Sequence, residues 1–270
     1  MIDFKFIRSL DVTSIHIPLI MNNLRKIGTT LFFVLATLLV RAQTPAQVLP
    51  SFDKVIASPH VSIVLVAGEQ ENIQLQYQNI EPEKVNYSVQ NKTLSIYLDD
   101  ARITVKNRKW KDGDMEFTRP IYDKSVKVTA YVTYRSLKAL QIRGEEEATC
   151  QSDLRSDSFK LKVYGQATVN LAGLTANNLK VSLYGENKVT IRSGKAANQQ
   201  YRIYGENKLD TESLIGERVS VHSYGDSQLN VYASNRIGVM AFGESDIKYA
   251  GDGNLRKGLV IGEVTIRRAE

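Results

Sequence analysis

Carboxylates and aromatic rings recur in this sequence in a fixed relation to glycine. Gly144, Gly165, Gly185, Gly205, Gly225, Gly243 and Gly262 follow one another at intervals of 21, 20, 20, 20, 18 and 19 residues. Tyr164, Tyr184, Tyr204, Tyr224 and Phe242 each directly precede one of them. Glu145, Glu186, Glu206, Asp226, Glu244 and Glu263 each directly follow one, and only Gln166 breaks that series. A file of aromatic rings can bind sugars or a partner strand. It can also shield the glycine backbone and pack on itself, at about 0.5–1.5 kcal/mol per pair. A file of carboxylates one strand apart repels itself by about 1 kcal/mol per neighbouring pair in water. It must either splay into solvent, helped by Lys188 and Lys208, or gather a hard cation. Calcium takes about six to eight oxygen ligands, and one column offers few. The Gly-Gly-x-Gly-x-Asp pattern of calcium-binding solenoids is absent. Neither a metal nor any other cofactor is expected, and the aromatic file with Glu186, Glu206, Asp226 and Glu244 is the candidate interaction ladder.

The remaining chemical inventory is thin. Cys150 is the single cysteine, which excludes an internal disulfide and a cysteine zinc cluster. His60 and His222 are the two histidines past residue 42 and lie far apart in the repeat frame. No Ser/His/Asp set, phosphate-binding loop or HExxH motif occurs. A polysaccharide lyase or hydrolase needs carboxylates clustered with Lys or Arg in a groove. The acidic file is linear instead, so no catalytic residues are assigned. Lys106, Arg108, Lys109 and Lys111 surround Trp110, a combination that can bind nucleic acid or an anionic glycan. Asp112, Asp114 and Glu116 follow at once and mark the segment as a solvated insertion.

The elements that carry these files are strands. Two residues before the glycines stand Ile142, Val163, Leu183, Ile203, Ser223, Ala241 and Val260. Four before stand Leu140, Leu161, Val181, Tyr201, Val221, Val239 and Gly258. Four after come Ala148, Val169, Val189, Leu209, Leu229, Ile247 and Ile266, and the column six after begins with Cys150, Leu171 and Ile191. Alternation on both sides of a glycine turn is the pattern of strands buried on one face. The period is too short for helical-pair repeats and lacks the Leu and Asn positions of leucine-rich repeats. The fold class that follows is all-β, a parallel β-helix (β-solenoid) with coils of about 20 residues stacked about 4.8 Å apart. All six Pro lie at or before Pro120, where they spare the repeat, and fourteen of the seventeen Gly lie at or after Gly144. Asn187 and Asn207, two after the glycine, suit a tight corner because Asn tolerates positive φ.

A less regular β segment, residues 51–134, precedes the regular coils of residues 135–267, with Asn91-Lys92 as a hairpin or coil turn and a polar insertion over residues 99–124. No linker separates the two parts, and residues 51–267 read as one domain. Upstream, residues 43–50 read as a linker and residues 21–42 as a secretory signal: Arg25 and Lys26, an apolar stretch over 27–40, and Val40 and Ala42 before the cut. Residues 1–20 then precede the true start at Met21. Residues 1–42 hold five Lys/Arg and two Asp, which leaves 30 basic and 27 acidic residues, a mixed surface that points away from nucleic acid.

The strings FDKVIASPHVSIVLVAGE, VNYSVQNKTLSIYL and VKVTAYVTYRSLKALQIRGE resemble the opening strand pair, the strand–turn–Leu-x-Ile element and the lead into the repeats of the putative auto-transporter adhesin, head GIN domain family. The repeats are similar to that family's Ser-Gly-Ser-Gly-Asp-Val element, written here as Tyr-Gly-Glu-Asn-Lys-Val. Arg135-Ser136-Leu137 stands where the family commonly has Pro-x-Leu. The resemblance spans residues 52–267. It implies a right-handed parallel β-helix in an exported protein, periplasmic, on the cell surface or secreted, with adhesion as its label and no catalytic residues to carry over. The function expected is a non-catalytic exported module that presents its ladders to an envelope protein or a glycan and does not span the membrane once the signal is removed. The alternatives are a carbohydrate-active β-helix enzyme and a periplasmic envelope-maintenance factor.

Overall fold

The computed structural model describes residues 44–269. The signal over 21–42, its cut after Ala42 and the upstream residues 1–20 lie outside the described residues. The strands are β1 (Gln47–Val48), β2 (Lys54–Ala57), β3 (Val61–Ala67), β4 (Asn72–Gln78), β5 (Val85–Gln90), β6 (Thr93–Leu98), β7 (Asn107–Asp112), β8 (Met115–Pro120), β9 (Lys127–Tyr134), β10 (Ala139–Gly144), β11 (Glu147–Arg155), β12 (Ser158–Gly165), β13 (Thr168–Gly185), β14 (Lys188–Ile191), β15 (Gly194–Gly205), β16 (Asn207–Asp210), β17 (Arg218–Tyr232), β18 (Arg236–Ala250) and β19 (Asn254–Arg268). They build the expected β-solenoid. On one side of the glycine corner, β6, β2, β10, β12, β13, β15, β17, β18 and β19 stack in parallel. On the other side the parallel order is β9, β3, β11, β13, β14, β16, β17, β18 and β19.

The alternation read from the sequence sets the register. Leu161, Val181, Tyr201, Val221 and Val239 pair in one column, and Val169, Val189, Leu209, Leu229 and Ile247 belong to another. All ten are buried. Each such side chain contributes about 1.5–3 kcal/mol when it leaves water. Tyr201 is the largest, and its hydroxyl donates to Gln199 Oε1 at 2.7 Å and meets Thr211 Oγ1 at 3.0 Å. Gln199 in turn donates to the carbonyls of Ala196 and Leu214. A polar group can lie this deep because every partner is satisfied.

The last coil departs from the expected register. Val239 pairs with Lys257 and Ala241 with Val260, so an extra residue enters the final strand and Gly258 does not stand in the column of Val239. No residue of β19 is buried. With no coil beyond it among the described residues, β19 gains nothing from an apolar residue in that column, and Lys257 occupies it exposed.

The less regular segment is part of the same stack, threaded out of order. β2 lies between β6 and β10, and β3 between β9 and β11. The chain thus forms a middle coil first, then runs outward and returns. Antiparallel partners close that end: β4 on β9, and β5 on β6 through a turn in which Asn91 and Lys92 both take positive φ, as two-residue hairpins require. Of the stretch read above as a linker, residues 44–50 are fastened to this cap. β1 pairs antiparallel with β4, the Thr44 N–H donates to the Leu75 carbonyl at 3.2 Å, and Leu49 is buried. Two short paired residues carry too little alternation to announce a strand. The polar insertion forms a hairpin of its own, β7 on β8, exposed throughout, with Trp110 stacked on Phe117.

Candidate functional site

The corner that positions the candidate ladder depends on glycine for two reasons, visible at Gly185 and Gly205. Their φ values are +108° and +97°, where L side chains are strained. A Cβ on Gly185 would lie 2.2 Å from the Gly165 carbonyl oxygen, and one on Gly205 2.5 Å from that of Gly185. The Gly165 carbonyl is already in use, since it accepts the Glu186 N–H at 2.8 Å. The coils therefore stack backbone on backbone, which brings the flanking side chains into vertical files.

The aromatic file is continuous. Tyr164–Tyr184, Tyr184–Tyr204, Tyr204–Tyr224 and Tyr224–Phe242 have ring centroids 4.9, 5.0, 5.0 and 5.2 Å apart and planes inclined by only 2–5°. Each inner ring has both faces covered by its neighbours. What the file presents outward is a row of ring edges and tyrosine hydroxyls, with Tyr184 and Tyr204 just over a third exposed. Arg143 occupies the same column below Tyr164, and Ile261 continues it above Phe242. Face-on stacking of a sugar, one of the two uses open to such a file, has no free ring face inside it.

The acidic file runs along the far side of the corner. Glu186, Glu206, Asp226 and Glu244 are all exposed, and among the described residues no Lys or Arg comes within 4.0 Å of them. The help expected from Lys188 and Lys208 is not formed as ion pairs. Those lysines project from the next sheet face, beyond Asn187 and Asn207, which turn inward between them. Glu145 alone has a partner, Lys124 at 3.7 Å. A shallow groove of about 300 Å³ follows this side, lined by Glu186, Lys188, Glu206 and Lys208. Among the described residues no cluster of His, Cys, Asp and Glu has the makings of a metal site.

Asn187 and Asn207 do not provide the positive φ expected of them; glycine alone supplies it at these corners. Both are buried and form an amide file. Asn187 Oδ1 accepts the Ala167 N–H at 3.1 Å, and Asn207 Oδ1 accepts both the N–H and the side-chain amide of Asn187 at 3.0 Å. Their own amides donate to the Tyr184 and Tyr204 carbonyls. The residue two after the glycine is thus an inward position, and Ser227 and Ser245 continue it.

The same rule finds a residue the motifs missed. Glu146 follows Gly144 by two, hidden in the run Glu145-Glu146-Glu147. Its carboxylate accepts the His60 N–H at 2.8 Å and the Glu145 N–H at 2.9 Å. Burial pushes its pKa up, against the pull of those N–H groups and of the His60 charge. His60 holds φ +66°, and its Nδ1 lies 2.9 Å from the Val126 carbonyl. A cleft of about 1020 Å³ opens here, lined among others by Tyr122, Arg143 and Glu146. With both oxygens of Glu146 engaged by backbone, this carboxylate ties the β2–β3 turn to the first glycine corner. Cys150 is buried as its column requires, and burial raises its thiol pKa.

Stacked parallel coils, glycine corners and side-chain files along the surface define a β-solenoid of the ladder-presenting kind. The chain belongs to the family described as putative auto-transporter adhesin, head GIN domain, whose model matches residues 51–253. Solved structures share the fold. A putative adhesin from Bacteroides fragilis is similar over 85% of this chain and 98% of its own, at 18% identity and a TM-score of 0.67. A putative lipid binding protein from Parabacteroides distasonis covers 85% of this chain and 96% of its own, at 13% identity and 0.60. A putative adhesin from Parabacteroides merdae covers the same shares at 14% and 0.57. No curated protein matches the sequence.

Proposed function

We propose that this protein is an exported, non-catalytic adhesin-type module that engages a cell-envelope partner through the surface files of its solenoid. Membership of the adhesin family supports the adhesive role, and the signal-like residues 21–42 support export. The observation that carries the reading is the five-ring file at the corner, an ordered edge of hydroxyls and carboxylates repeated coil after coil. A repeated edge of this kind suits recognition of another repeating or extended molecule, where many weak contacts add. An enzymatic role finds little support: the carboxylates of the file stand in a line, and Glu146, half-buried beside the first corner, has both oxygens held by backbone N–H groups.

A tagged chain expressed in its native envelope tests the proposal by pull-down, run beside a glycan array and reducing-end assays on a polysaccharide panel. Specific capture of one partner, weakened by Tyr184→Ala with Tyr204→Ala, is the expected result. Turnover of a polysaccharide that Glu206→Gln or Asp226→Asn abolishes would overturn it.

A further inference from the structure

The sheet face before the glycine corner carries no carboxylate. Its outward positions read Ser-Lys-Lys-Tyr at 158, 160, 162 and 164, and Asn-Lys-Ser-Tyr at 178, 180, 182 and 184. They continue as Asn-Gln-Arg-Tyr, Arg-Ser-His-Tyr and Arg-Gly-Met-Phe in the next three strands. With 29 Asp and Glu in 270 residues, about two would fall among these twenty positions by chance, and none does. Every rung instead supplies a cation: Lys160 and Lys162 from β12, Lys180 from β13, Arg202 from β15. Arg218, Arg236 and Arg256 follow from β17, β18 and β19. Arg218 is partly engaged, with Nε donating to Asn198 Oδ1 at 2.8 Å and Glu217 3.8 Å from Nη1. Among the described residues the others have no ion-pair partner. The near-neutral balance of the chain beyond residue 42 thus conceals a segregated surface.

We infer that this face binds a linear anionic polysaccharide, one carrying a carboxylate on each sugar, laid along the solenoid axis. The inference names the partner class for the module proposed above and rests on that reading. Three observations favour it. First, each rung from β12 to β19 supplies at least one cation, spread over three neighbouring outward columns. Positive charge thus recurs along the axis at the rung spacing of about 4.8 Å, as a ligand with regularly repeated charge requires. Secondly, six of the nine other positions outside the aromatic file are Ser, Asn or Gln, which pair with sugar hydroxyls, and His222, Gly238 and Met240 fill the rest. A groove of about 440 Å³ lies among them, lined by Lys180, Arg218, Arg236 and Arg256 and opened by Gly238, where a Cβ would meet nothing within 4 Å. Thirdly, the file of Glu186, Glu206, Asp226 and Glu244 lies just beyond the aromatic file and repels a polyanion from that side, so the ligand is confined to the basic face. Single-stranded nucleic acid fits less well, because it seeks open aromatic faces for its bases and these rings cover one another.

Binding of the purified full chain to polygalacturonate, measured by calorimetry, tests the inference. Its fully methyl-esterified form, single-stranded DNA and phosphatidylglycerol vesicles serve as comparisons. Polygalacturonate is expected to bind best, at least about tenfold more weakly when salt rises from about 0.05 to 0.3 M, and the uncharged ester not at all. Gly238→Glu puts a carboxylate into open space in the groove, so it should leave the melting temperature unchanged and cut affinity about tenfold or more. Arg236→Gln with Arg256→Gln should act alike, whereas Lys188→Gln with Lys208→Gln on the other face should not. Absence of binding, equal binding of the ester, tighter binding of DNA or vesicles, or equal losses from both faces would each overturn it. Because purified components suffice, such a failure leaves the envelope pull-down standing, and a failed pull-down leaves this result standing.

Discussion

Tyr184 and Tyr204 lie twenty residues apart in sequence and stack with their planes 2° from parallel, 5.0 Å between centroids. The spacing is that of the strands beneath them, which pair residue for residue from Leu179↔Gln199 to Gly185↔Gly205. The rings are therefore held at strand spacing by the backbone and keep both faces out of water. Tyr204→Leu, which removes two stacks, is expected to cost about 1–3 kcal/mol, and Phe242→Leu, which removes one, about half as much. Tyr204→Phe should be nearly neutral, since Phe242 already serves in the same file. Urea unfolding of the three variants checks the order, and a Phe cost equal to that of Leu would mean that the hydroxyl, not the stack, holds the file.

A second prediction concerns the corner. Gly205→Val must place a Cβ against the Gly185 carbonyl oxygen at positive φ, and left-handed geometry alone costs about 1–2 kcal/mol. Gly262 has φ +103° and an approach to Gly243 O of 2.2 Å, no less severe locally. It sits in the last coil of the described residues, however, where a shift of β19 disturbs one neighbouring coil rather than two. The midpoint of thermal unfolding should fall most for Gly205→Val, less for Gly262→Val and hardly at all for Lys208→Val on an outward strand position. Equal losses at all three positions would contradict the stacking described.

How far the fold could be read from sequence depended on periodicity. The seven glycines and the columns two and four residues away repeat often enough to fix strand, corner and stacking. Asn187 and Asn207 show where that reading failed: Asn has a general preference for turns, but here strand alternation carries on past the corner and turns the side chain inward. Glu146 was hidden among three consecutive glutamates, although its distance from Gly144 places it in the same inward column. The threading of β2 and β3 between β6/β9 and β10/β11 was not legible, because nothing in residues 51–134 repeats. Charge segregation was lost in the chain total and emerges only when outward positions are read down each face.

The amide file yields a third prediction. Asn207 Oδ1 accepts two hydrogen bonds from Asn187 inside the core, and its amide satisfies the Tyr204 carbonyl. Asn207→Ala strands these groups, at a cost of about 1–3 kcal/mol for a buried unsatisfied partner. Asn207→Ser should recover part of the loss, because Ser227 one coil on keeps its hydroxyl engaged with the Gly205 carbonyl at 3.2 Å. Chemical unfolding separates the two, and an alanine variant as stable as the parent would show that the file contributes no net stability.

The last prediction follows from Glu146. Burial raises its folded pKa above that of the unfolded chain, so over this window the folded state binds more protons than the unfolded one. Stability then falls as pH rises. The contribution is most favourable below the ordinary glutamate value, about 4.3, and declines until pH passes the raised folded value. Glu146→Gln removes the titration while keeping an oxygen that can accept the His60 N–H. Relative to the parent, the Gln variant should therefore fare better at about pH 7 than at about pH 4, whatever its absolute stability. Parallel urea titrations at the two pH values measure that difference. A Gln variant that gains nothing between them, or that loses ground at the higher pH, would mean that the two N–H donors outweigh burial and that the carboxylate is held charged.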